Sequence, residues 1–110
     1  MDRLYIVTRS DLPPGAEVAQ SCHALRAFVA AQPELDAAWH AAGGNLVCLS
    51  VPAEDELERL LARAGADGVR SAEFREVDFG GQLTAIALEA SARTLVSSLP
   101  LALRPARAAA

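Results

Sequence analysis

Gln20 and His23 stand three positions apart in "AQSCHA", shortly after a proline-rich turn, "SDLPPG". On a helix that spacing brings the two side chains to neighbouring positions on one face. An imidazole titrates near neutrality and can act as a general acid or base. The same histidine can equally be a hydrogen-bonded structural group. Gln20 can orient a substrate carbonyl or bond to a neighbouring loop. The helix that carries them begins near Gly15, Ala16 and Val18, where the first N–H groups have no intrahelical partners. Such amides favour an anion or a developing oxyanion. Asp11 lies just ahead and is the other candidate for those amides, as a cap or turn residue.

A second group sits in "FREVDFGGQLT". Glu76 and Asp78 are two apart, so on an extended strand they share a face. Paired carboxylates can split their pKa values and divide acid and base roles; beside a turn they can also be simply solvated. Thr84 opens the next strand and is placed to hydrogen-bond a carboxylate across the turn. Gly80-Gly81 lacks the spacing of a phosphate loop. Cys22 and His23 are adjacent and diverge by about 100° on a helix, with no third ligand in view, so no metal site is expected. His40, near a helix end, reads as solvated. Every basic residue is Arg, so no chemical step can use a lysine amine.

The elements that must position these residues read in order. "LYIVT" is a first strand, β-branched and aromatic. Pro13 and Pro14 interrupt the chain, and a helix runs from about Gly15 to Ala31. In it Val18, Cys22, Leu25 and Val29 form an apolar stripe, with Ala16, Gln20, His23 and Ala27 opposite. "PELDAAWHAAGG" gives a second short helix. "NLVCLSV" is a nearly continuous apolar strand, which predicts a central position covered on both faces. "PAEDELERLLARAGADG" is a helix with an acidic first turn, Leu57, Leu60, Leu61 and Ala64 inward, and Gly65 as its stop. "SAEFREV" and "LTAIAL" are strands, and "SARTLVSSLP" is a last short helix with Ser91 as N-cap.

This order, β-α-(α)-β-α-β-β-α, predicts a three-layer α/β/α domain with a mixed four-stranded sheet. Its last two strands either pair as a hairpin or place one member elsewhere as the antiparallel strand. One domain over residues 1–100 and a frayed tail over 101–110 are expected from the length of 110 residues. An apolar fraction of 52% suffices for a packed core. A net charge of -4 argues against binding nucleic acid through the whole surface, and leaves a local arginine patch open. No signal peptide or membrane span is visible, and Cys22 and Cys48 read as small buried hydrophobes, which together point to the cytoplasm.

The stretch "VTRSDLPPGAEVAQSCHA" resembles the opening motif of the type II peptidyl-tRNA hydrolases through Arg9, Asp11, Leu12, Gly15, Ala19, Gln20, His23 and Ala24. "LTAIAL" resembles that family's strand near the C-terminus. The resemblance covers most of positions 3–100. It implies a mixed sheet whose last strand runs antiparallel beside the first. It implies hydrolysis of the ester joining a peptide to tRNA, without a cofactor, by a protein that is commonly a homodimer. Carried over by position, His23, Gln20, Asp78 and Thr84 form the catalytic set, with Glu76 as the alternative to Asp78. Arg9, Asp11, Gly15, Ala16, Glu76 and Arg75 form the substrate-binding set, with Arg26 as a further phosphate contact. Ala16 stands where the family motif has lysine. A non-catalytic tRNA- or protein-binding module on the same fold is the alternative reading.

Overall fold

The structure, a computed structural model, describes residues 2–104. Strand β1 (Arg3–Arg9) leads into helix α1 (Pro14–Ala31) and helix α2 (Pro33–Ala41). Strand β2 (Asn45–Val51), helix α3 (Glu54–Ala66), strand β3 (Ser71–Glu76) and strand β4 (Gln82–Leu88) follow. A 3-10 turn at Ala90–Ala92 and the short helix α4 (Arg93–Val96) come last. The sheet order is β2-β1-β4-β3. β1 runs parallel to β2 and antiparallel to β4, and β4 is antiparallel to β3. The last strand therefore satisfies both sequence alternatives: it forms a hairpin with β3 and inserts beside β1. No helix among the described residues is long and apolar enough to cross a membrane.

Alternation along β1 divides the core into two. Leu4 and Ile6 pack with Ala24, Phe28, Ala85 and Ala87 under α1. Tyr5 and Val7 pack with Leu57, Leu60, Leu83 and Ile86 on the α3 face. Three layers result, α/β/α, as the element order requires.

Several expectations need correction. β2 lies at the sheet edge, and its first residues are exposed. Its outer side is partly closed by the C-terminal segment: Leu49 bridges Leu101, Ser50 N–H donates to Pro100 O, and Ala102 N–H donates to Cys48 O. Residues 101 and 102 thus continue the fold, while 105–110 lie outside the described residues. α1 buries Glu17, Gln20, Ala24 and Phe28 in place of the Val18 stripe, and Val18 is 49% exposed. The stripe flanks the buried face, and Val18, Cys22 and Leu25 border the β2 edge. Cys22 is accordingly exposed and Cys48 only half-buried. At the termini of helices, Gly65 lies inside α3, whose stop is completed by Gly68 at φ 71°. Ser91 sits within a 3-10 turn and caps nothing.

One irregularity shapes the end of the sheet. In the β3–β4 pairing Phe74 faces Ala85 and Arg75 faces Leu83, so Thr84 is the unpaired residue of a β-bulge. The bulge turns Thr84 and Ala85 toward α1 while Leu83 and Ile86 remain in the other core. Its freed backbone groups are taken up by side chains. Leu83 N–H donates to Glu54 Oε2 at 2.8 Å, and Leu83 O accepts from Arg9 Nη1 at 3.0 Å. Thr84 O accepts from the Thr8 hydroxyl at 3.3 Å.

Arg9 does more than close the bulge. It is 6% exposed, grips Asp11 through Nε and Nη2 at 3.0 and 2.9 Å, and reaches Gln82 Oε1 at 2.9 Å. The guanidinium holds the Asp11 carboxyl below its usual range. That contribution is present above the ordinary aspartate value and is lost as pH falls through the depressed one. Arg9→Met is expected to lower stability by about 2–4 kcal/mol at pH 7 in urea denaturation, with the deficit shrinking below about pH 3. Arg9→Lys recovers less than half of it, because an ammonium cannot span the three partners.

Glu17 has the opposite balance. It is 5% exposed, and its Oε1 is buried without a hydrogen-bond partner among the described residues. Burial, then the charge of Asp11, push its carboxyl above the usual range. A raised folded value means stability that is full below the unfolded value and is lost as pH rises through the folded one. Glu17→Leu is therefore expected to gain about 1–3 kcal/mol at pH 7, and the gain should vanish below about pH 4 in the same measurement.

Candidate functional site

The bulge brings Thr84 under α1, and α1 supplies a partner. Gln20 is 4% exposed, so both ends of its amide need partners inside the protein. Its Oε1 accepts from the Thr84 hydroxyl at 2.6 Å, and its Nε2 donates to Glu76 Oε1 at 3.0 Å. The Phe74 carbonyl lies 3.2 Å from the same hydroxyl, which has one proton and gives it to the nearer oxygen. Glu76 is the last residue of β3, on the face toward α1. Ionised, it can only accept, and this fixes which end of the Gln20 amide faces it.

The Gln20 amide, with the Asp78 N–H 3.4 Å from Oε2, holds the Glu76 carboxyl below its usual range, and the nearby His23 acts in the same direction. A chain of donors thus runs from Thr84 through Gln20 to a carboxylate next to an imidazole. His23 lies one turn beyond Gln20, exposed, with its ring stacked on Phe74 at 4.4 Å between centroids and 14° between planes. The stack fixes the ring plane while leaving its edge to solvent.

Asp78 is not on an extended strand with Glu76. It belongs to a 3-10 turn, Val77–Phe79, and its side chain is exposed. The turn closes through Gly80 and Gly81 at φ 67° and 79°, a backbone that glycine adopts readily. Gly81 N–H returns to Glu76 O at 2.9 Å, so the turn is a lid on the end of β3.

At the start of α1 the N-cap is Pro13 and Pro14 opens the first turn. No side chain among the described residues caps this terminus, so the N–H groups of Gly15 and Ala16 remain open. Asp11 does not cap them because Arg9 claims both its oxygens. Ala16 precedes Gln20 by about one turn and His23 by about two, a rise of about 10 Å along α1.

The expected phosphate contacts separate. Arg9 points inward, with its donors spent on Asp11, Gln82 and Leu83. Arg75 lies on the α3 face, where Glu58 takes Nη1 and Nη2 at 3.0 Å each and Glu73 takes Nε at 2.6 Å. Both strengthen the framework. Arg26, one turn past His23 on α1, is exposed. His40 is exposed as well. Among the described residues no group of three or more His, Cys, Asp or Glu is placed to hold a metal ion. Phe74 is the site residue that the sequence reading passed over. Its signal was alternation with Ala72 and Glu76 along "SAEFRE", which sets all three on one face.

No curated protein matches the sequence. A solved structure, that of the protein of unknown function Atu0240 from Agrobacterium tumefaciens strain C58, superposes with a TM-score of 0.66 over 90% of this chain and 96% of that one. At 12% identity the likeness is one of fold. The family model for the peptidyl-tRNA hydrolase PTH2 matches residues 3–104, a span that takes in both the α1 motif and the bulged strand. The chain belongs to the PTH2 peptidyl-tRNA hydrolase family.

Proposed function

We propose that the protein hydrolyses the ester between the peptide and the ribose of peptidyl-tRNA. The observation that carries this reading is the 3.0 Å bond from Gln20 to Glu76, which joins the α1 motif to the acidic end of β3 beside His23. Water attacks the ester carbonyl as His23 takes its proton. Charge gathers on the carbonyl oxygen, and the open N–H groups of Gly15 and Ala16 stabilise it. Collapse breaks the bond to the ribose oxygen, which leaves with the proton from the imidazolium. The products are a free peptide carboxyl and a tRNA hydroxyl. No cofactor takes part.

Glu76 places a carboxylate near the ring that takes the proton, and Gln20, itself held by Thr84, holds Glu76 in place. Asp78 contributes its N–H to Glu76 and stands as the alternative carboxylate. Ala16 provides no cation, so the helix amides carry the developing charge alone. Arg26 makes the tRNA phosphate contact.

The test is hydrolysis of an N-acetylated aminoacyl-tRNA. His23→Ala is expected to lower kcat/KM by about 100-fold or more, and Glu76→Gln by about 10–100-fold. Asp78→Asn separates the carboxylates: a loss as deep as that of Glu76→Gln moves the role to Asp78. Thr84→Val frees Gln20 from its donor and lowers kcat with little change in KM. Arg26→Ala weakens tRNA binding and flattens its log-log salt dependence by about 0.7–0.9. Equal rates in wild type, His23→Ala and Glu76→Gln would remove the site assignment. Salt-dependent tRNA binding without turnover would favour the binding module.

A further inference from the structure

Leu83 stands next to the extra residue of the β4 bulge, beyond the last pair that β1 makes with β4, Thr8 with Ala85. Its side chain is fully buried in the core under α3. Two charged side chains hold its backbone: the N–H donates to Glu54 Oε2 at 2.8 Å, and the carbonyl accepts from Arg9 Nη1 at 3.0 Å. A carboxylate on the N–H and a guanidinium on the C=O match the polarity of the peptide groups, and such charge-assisted bonds are roughly twice as strong as neutral ones. Glu54 is the first residue of α3, where a carboxylate ordinarily serves the amides of its own helix. Its hydrogen bond goes to β4 instead.

Thr84 follows Leu83 directly and turns to the other face, toward α1. Hydrogen bonds of 2.8, 2.6 and 3.0 Å therefore run in series, from Glu54 to Leu83, from Thr84 to Gln20, and from Gln20 to Glu76. The series crosses the sheet from the α3 layer to the α1 layer that carries His23. Without Glu54 the Leu83 N–H is a buried donor short of its acceptor, and the strand end must shift to satisfy it. A shift of Leu83 passes to Thr84 through one planar peptide unit, which absorbs little of it. Displacing the Thr84 hydroxyl takes the donor from Gln20 Oε1, and the amide no longer fixes Glu76.

We propose that Glu54 is a positioning residue for the hydrolytic site on the opposite face of the sheet, acting through the Leu83 N–H and the Thr84 hydroxyl to set the Gln20–Glu76 pair. The kinetic side of this inference rests on the hydrolysis proposed above; the coupling of Glu54 to Gln20 does not. Reach matters as well as charge. Glutamine at position 54 keeps an oxygen at the same distance, whereas aspartate keeps the charge and falls one methylene short.

The test compares full-length wild type with Glu54→Ala, Glu54→Asp and Glu54→Gln, and with Asp55→Ala, an exposed change in the same helical turn, as control. Each is read twice, by the side-chain amide NMR signals of Gln20 and by hydrolysis of an N-acetylated aminoacyl-tRNA. In Glu54→Ala and Glu54→Asp the Gln20 signals are expected to move in the direction they take in Thr84→Val. In the same two variants kcat is expected to fall about 10-fold, with KM within about twofold of wild type. Glu54→Gln should restore the signals and bring kcat to within about threefold of wild type. Asp55→Ala should change neither. In a Thr84→Val background, Glu54→Ala should lower kcat by less than about twofold more, because the route through Thr84 is already cut. If Glu54→Ala does not fold, Glu54→Asp, which keeps the helix start, carries both comparisons. Unmoved Gln20 signals in the folded variants would overturn the proposal. So would an unchanged kcat, fully multiplicative losses in the double variant, or no rescue by Glu54→Gln. An inactive wild type whose Gln20 signals still follow Glu54 would count against the hydrolysis and for the coupling.

Discussion

The extra residue in β4 sets the geometry of the working end. A regular ladder would turn Thr84 toward α3, along with Ile86, and leave Gln20 facing only backbone and alanine. With the bulge, Thr84 and Ala85 both face α1. The arrangement has a cost, because a bulge strips backbone groups of their ladder partners. Glu54, Arg9 and Thr8 each answer one of them. These three side chains come from α3 and β1, so the bulge is held by the helix layer on one face and by the strand beside it. Gln20 then becomes a satisfied buried amide, and its second end is free to fix Glu76. Removing any one of these partners leaves a buried polar group unpaired, which is why the cluster behaves as a unit.

The sequence disclosed the elements and hid their lateral placement. Strand and helix runs were legible because "LYIVT", "NLVCLSV" and "EDELERLLARAGA" carry strong periodic or apolar signals. β2 was misplaced to the sheet centre because an apolar run reports burial of its residues, and cannot distinguish sheet neighbours from the cover given by α1 and the C-terminal segment. The buried face of α1 was misread for a related reason. Ala24 is fully buried yet gives a weak hydrophobic signal, and a charged Glu17 gives none at all. Gln20, His23, Glu76 and Thr84 were recoverable as candidates from their types and spacing. The bonds among them depend on the bulge, and nothing in "GGQLTAIAL" marks which residue is extra.

Electrostatic assignments were harder still, since partners decide them. Arg9 and Asp11 were each given outward roles, as phosphate ligand and helix cap. They are two residues apart, and once β1 ends at Arg9 their side chains reach one another before either reaches solvent or the helix. Their pairing neutralises both and leaves the α1 amides uncapped. The same pairing that withdraws a cation from the surface therefore leaves the positive terminus of α1, two turns before His23, uncapped. A chain with no lysine and a net charge of -4 thereby keeps a local attraction for negative charge.

Helix α1 consequently separates two environments. Its His23 flank meets β3 through hydrogen bonds and a ring stack, and remains wet. Its Val18 flank overhangs the β2 edge with apolar side chains and one buried carboxyl. Glu17 and Gln20 are one turn apart on the buried face, and their fates differ for a single reason. Gln20 lies under the bulge, where a hydroxyl and a carboxylate were already aimed at it. Glu17 lies on the side toward β1 and the β2 edge, where no donor among the described residues reaches its Oε1. The irregular half of the sheet satisfies the polar group that α1 presents to it, and the regular half leaves its counterpart buried and unpaired.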